Sequence, residues 1–137
     1  MRMAYFGALF GASLAIGCGG GDDEKSNADG FEGVDRDVAG VIDDFAEAGS
    51  GGDGARVCDE IFADALKRNI ERESKQSCAS EVRENLPEDE YELDVDTIQV
   101  DGNSATVTVT DQDDNRSALI MTKTGDDWRI FRVRAAP

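Results

Sequence analysis

The sequence predicts an α+β domain in which three N-terminal helices pack on a curved four-stranded antiparallel meander. Three observations carry this. Apolar residues recur at helical spacing up to Leu86, Pro87 ends that pattern, and from Tyr91 onward the period falls to two.

The first helix is read over Asp35–Ala48, where Val34, Val38, Val41, Ile42 and Phe45 fall on one stripe and Gly40 weakens it slightly. The loop GSGGDG at 49–54 follows. A second amphipathic helix starts after Asp53 and carries Val57, Cys58, Ile61, Phe62, Ala65 and Leu66. Cys78, Val82 and Leu86 mark a third, shorter helix stopped by Pro87.

In the second half Tyr91, Leu93 and Val95 alternate with acids, and Ala105, Val107 and Val109 alternate with threonines. The apolar parity slips between Val95 and Ile98, which predicts a bulge. Turns are expected at 101–103, 112–115 and 124–127. The last two strands, 117–123 and 128–134, are apolar on both faces: Leu119 sits beside Ile120, and Ile130 beside Phe131.

Upstream of the domain, residues 3–18 are apolar or small behind Arg2, and Asp22, Asp23 and Glu24 cut the run short. This is the layout of a secretory signal, too short for a membrane span of about 20 residues. Leu14-Ala15-Ile16-Gly17-Cys18 resembles the lipobox of bacterial lipoproteins, with Leu14 one place earlier than that family's usual leucine. The resemblance implies a signal peptide over 1–17, cleavage before Cys18 and a lipid on its sulfur. It places the protein on the extracytoplasmic side of the cell membrane or in the outer envelope, anchored to the membrane. Residues 18–33, polar and Gly-rich, then read as a flexible tether with an end-to-end distance of about 20 Å. The folded domain is read over 34–137, one core of roughly 100 residues.

Three cysteines in an exported chain leave one odd, and lipidation of Cys18 removes it. Cys58 and Cys78 are then expected to pair in an oxidising compartment, the alternative being two buried free thiols.

Thirty acids against 14 Lys and Arg give a formal net charge of −16, and there is no His. Such a surface repels phosphate backbones, so no nucleic-acid partner is expected. Without His, and with its cysteines occupied, the chain has no ordinary transition-metal site and no activated Cys, so no cofactor or metal is expected. Asp111 to Asn115 opens like a calcium loop, but Arg116 stands where Gly is required and Thr122 where the bidentate Glu belongs. A solvated hairpin tip is expected there.

Helices followed by long antiparallel strands, with Ala105-Thr106-Val107-Thr108-Val109 and a closing Trp128-Arg129-Ile130, resemble the nuclear transport factor two-like superfamily over residues 34–134. That cone is shared by ketosteroid isomerases, polyketide cyclases and many actinobacterial lipoproteins. The resemblance implies either a non-catalytic module binding a small apolar ligand or an envelope protein, or a small enzyme of the isomerase or cyclase type. An open cone would be lined by Phe45, Phe62, Tyr91, Leu93 and Trp128; otherwise these residues fill the core. No catalytic residue is assigned.

Overall fold

The computed structural model describes residues 26–87 and 90–136; the leader and Cys18 lie outside them. The architecture is α+β, with helices preceding a four-stranded antiparallel sheet. Helix α1 spans Gly33–Ser50 and buries Val38, Ala39, Ile42, Phe45, Ala48 and Gly49. The predicted stripe is right except that Val34, at its start, is exposed and Val41, in its middle, is only half-buried.

The second helix differs from expectation. Helix α2 is only Gly54–Arg56, capped by the Asp53 carboxylate, which accepts from the Arg56 N–H at 3.0 Å. It runs into a π-helical turn, Val57–Ile61, and then stops: Phe62 and Ala63 are extended, and α3, Asp64–Ser74, is a separate helix. The cause is tertiary. Phe62 bridges Ile130 in parallel fashion, and the Ala63 N–H donates to the Ile130 carbonyl at 2.8 Å. A continuous helix could not offer those backbone groups to a strand. Ala65 and Leu66, read as core, therefore lie on α3, where Ala65 is exposed and no side chain is buried. Helix α4, Cys78–Asn85, is capped by Ser77 and ends before Pro87, as predicted. There are thus four helices rather than three.

The strands are β1 (Leu93–Asp101), β2 (Ser104–Asp111), β3 (Arg116–Thr124) and β4 (Asp127–Ala135), ordered β1-β2-β3-β4. Their turns use positive φ at Gly102, Asp114 and Gly125. The predicted bulge is present, with Asp96 the extra residue between Val95 and Thr97. A second bulge, absent from the sequence reading, leaves Phe131 unpaired opposite the Ile120–Met121 step. It explains why Ile130 and Phe131 are adjacent apolar residues: Ile130 is in the core and Phe131 is outside.

The core lies between α1, the π-turn and one face of the sheet, with Val38, Ile42, Val57, Val107, Met121 and Ile130 fully buried. No polar or charged side chain is buried among the described residues. The outer face carries Thr97, Thr106, Thr108 and Thr110, as the alternation requires.

One further correction concerns the tether. Its last residues are folded: Asn27–Gly30 form a 3-10 turn clipped to the domain. The Asp43 carboxylate accepts from Ser26 Oγ, the Asn27 and Ala28 N–H groups, and Asn27 Nδ2, at 2.7 to 3.0 Å. Asn27 Nδ2 also donates to the Leu93 carbonyl, and its Oδ1 accepts from the Val95 N–H. The side-chain amide thus imitates a strand residue on the outer edge of β1. Residues 26–30, read as tether, are thus part of the folded unit.

Candidate functional site

Of the five residues proposed to line a cone, four form one aromatic and aliphatic cluster. Phe45 packs edge-on against Phe62 and Tyr91, with ring centroids 5.7 and 5.5 Å apart. Phe45, Tyr91 and Leu93 line a cleft of about 80 Å³ at the C-terminal end of α1, closed on the sheet side by Val109, Leu119 and Val133. Phe62 lies behind them in the core. Trp128 belongs to the same hydrophobic core but makes none of these ring contacts. It is buried at the other end of the sheet, under an open groove of about 640 Å³ along the N-terminal half of α1.

Tyr91 is held from both sides. Ser50 Oγ accepts from its N–H (2.8 Å) and donates to its carbonyl (3.1 Å). Its ring lies against Gly49, where an added Cβ would overlap Tyr91 Cδ2, so any larger residue there must push the ring aside. Burial, and then the Asp111 carboxylate, raises the Tyr91 phenol above its ordinary value.

Asp111 is the acid nearest this ring among the cleft residues, and its own turn occupies it. Oδ1 accepts from the Asn115 and Asp113 N–H groups at 3.0 and 2.9 Å, and the Asn115 side chain approaches Oδ2. These bonds, that of the Asn115 N–H first, hold its carboxyl below the usual range. A carboxylate that accepts so many hydrogen bonds is a poor base. The run 111–115 is accordingly the hairpin tip expected of it, and the described residues contain no cluster of metal-ligating side chains.

The larger groove is floored by Val41, Ile61 and Trp128 and rimmed by ions. Arg56 reaches Glu47 at 3.1 Å, Asp44 at 3.8 Å and Glu60 at 3.9 Å. Burial raises the Asp44 carboxyl, against the lowering effect of Arg56. These are exposed, mutually paired charges, which is how solvated surface ions arrange themselves.

Cys58 and Cys78 stand at disulfide distance, 2.03 Å between sulfurs, joining the π-turn to the first residue of α4. Both are buried. Cys18 is outside the described residues, which contain no helix long and apolar enough to cross a membrane.

The sequence reading missed the end of β4, whose outer edge no described residue pairs with. Ala63 covers the edge of this strand as far as Ile130, and from Phe131 to Ala135 every residue is exposed. Its signal was the pair of adjacent apolar residues, which marks a bulge in an edge strand as well as a buried strand.

Comparison with known proteins adds no relative: no family model matches the chain, no curated protein is similar to it in sequence, and no solved structure matches its fold.

Proposed function

We propose that this chain is an envelope lipoprotein, anchored to the membrane through Cys18, whose domain is a non-catalytic protein-interaction module built on a nuclear transport factor two-like cone with a filled interior. The observation that carries this reading is the filling of the helix-facing side of the sheet. Phe45, Phe62, Leu93 and Leu119 occupy it at the C-terminal end of α1 and leave a cleft of about 80 Å³, well below the ~300 Å³ at which small-molecule sites begin. The groove of about 640 Å³ at the other end lies open to solvent and is rimmed by paired charges rather than by the apolar wall of a ligand cavity. An isomerase of this architecture uses an Asp base and a protonated Asp facing an apolar cavity. Here no acid is buried among the described residues, and Asp111 is bound to its own turn. The anchoring part rests on Leu14 to Cys18 and the polar stretch that follows.

The test has two arms. Expressed in a bacterium, the full chain should take up an alkyne-labelled fatty acid and sediment with membranes, while Cys18→Ser should lose the label. Persistence of the label in Cys18→Ser would overturn the anchoring. In the second arm, purified chain should leave 3-ketosteroids unchanged; turnover abolished by Tyr91→Phe would put the protein among the enzymes.

A further inference from the structure

The exposed end of β4 unites three features. The first is a backbone edge that no described residue covers. The Ala136 N–H donates to the Arg116 carbonyl at 3.2 Å, and Ala135 lies opposite Ser117. By the alternation of an antiparallel ladder, the N–H and C=O groups of Val133 and Ala135 then point away from β3 into solvent. The second is apolar: besides Val34, Phe131 and Val133 are the large hydrophobic side chains left exposed among the described residues, 39% and 47% accessible. The third is charge. In a chain of net charge −16, residues 116–125 and 128–136 contain no acid and carry Arg116, Lys123, Arg129, Arg132 and Arg134. Arg132 lies 5.7 Å from the centroid of the Phe131 ring.

The faces are sorted. Arg132 and Arg134 stand opposite Ile120 and Ala118 on the outer face, whereas Val133 stands opposite Leu119 and lines the cleft on the helix side. We propose that the Phe131–Ala135 edge is a strand-addition site for an extended segment of a partner protein in which acidic and apolar residues alternate. Its backbone would continue the sheet past Val133 and Ala135, its acids would meet Arg132 and Arg134, and its apolar residues would cover Val133 and the cleft mouth. A bilayer fits less well, because lipid leaves the edge N–H and C=O groups without partners. Pairing of two copies through β4 would set Arg132 and Arg134 against their own kind. This proposal rests on reading the domain as an interaction module, but it fails separately, since its test involves neither lipidation nor turnover.

The test uses the full chain in uncharged detergent and a fluorescent eight-residue peptide alternating Glu and Val, with a Lys and Val peptide as control. The acidic peptide should bind saturably and the basic one should not. Val133→Pro removes one outward N–H but no ladder bond, so it should abolish binding while the thermal midpoint stays within a few degrees. Arg132→Glu with Arg134→Glu, both on exposed side chains, should weaken the acidic peptide by about tenfold or more and bring the basic one into range. Absence of saturable binding, equal binding of both peptides, or retention of binding in Val133→Pro would each overturn the proposal. So would self-association lost in Val133→Pro, or binding to phosphatidylglycerol vesicles, without binding of the acidic peptide, that the double Arg variant loses.

Discussion

Tyr91 and its neighbours show how single atoms decide this structure. A Cβ at residue 49 would sit 2.4 Å from Tyr91 Cδ2, so Gly49→Ala must displace the ring. It should cost about 1–3 kcal/mol, read from urea denaturation. Because burial raises the Tyr91 phenol, the folded chain keeps that proton at a pH where the unfolded chain has lost it. The associated stability is complete below the unfolded value of 10.0 and is lost as pH rises toward the folded value. In a Tyr5→Phe background, absorbance titration of the sole remaining tyrosine should give a midpoint above 10.0, returning to 10.0 in denaturant. The Cys58–Cys78 link closes a separation of 20 residues. Reduction should therefore cost about 3 kcal/mol on the chain-entropy model, and Ellman titration of unreduced Cys18→Ser chain in denaturant should find no thiol.

Among the elements, legibility followed the period of the pattern. Helix α1 and the meander were readable because their apolar positions repeat over many residues, and the slip from Val95 to Ile98 located the first bulge. The second helix was misread because Val57, Cys58, Ile61 and Phe62 keep helical spacing while the backbone widens into a π-turn and then extends to meet Ile130. That contact spans nearly seventy positions, and local spacing does not encode it. The candidate lining residues were legible as a hydrophobic set; that Phe45, Tyr91 and Leu93 line one cleft while Trp128 packs at the other end of the same core was not, since it depends on how α1 lies across the sheet. The clip at Asn27 was hidden for a different reason: its Gly, Asp, Ser and Asn composition matches both a disordered thread and a hydrogen-bonded turn. Asp43→Ala removes the acceptor of four hydrogen bonds at once. Hydrogen exchange should then show residues 27–30 unprotected while β2 and β3 keep their protection, at a cost of about 1–3 kcal/mol.

For the molecule as a whole, charge sets the solution behaviour. With thirty acids against 14 cations, the excess negative charges repel one another in the compact state. Raising salt from low to about 0.5 M screens that repulsion and should raise the thermal midpoint by a few degrees, whereas a fold held mainly by ion pairs would lose stability. The clip has a geometric result as well. Cys18 and Ser26 are eight residues apart, a span of at most ~29 Å, and Asn27 is fastened to β1. On the proposed anchoring, the lipid therefore pulls at the β1 side of the sheet. The Phe131–Ala135 edge lies three strand spacings away, about 14 Å. The anchor point and the Phe131–Ala135 edge then lie on opposite sides of the sheet, so a lipid on Cys18 would hold the domain at the membrane without its attachment covering the open edge.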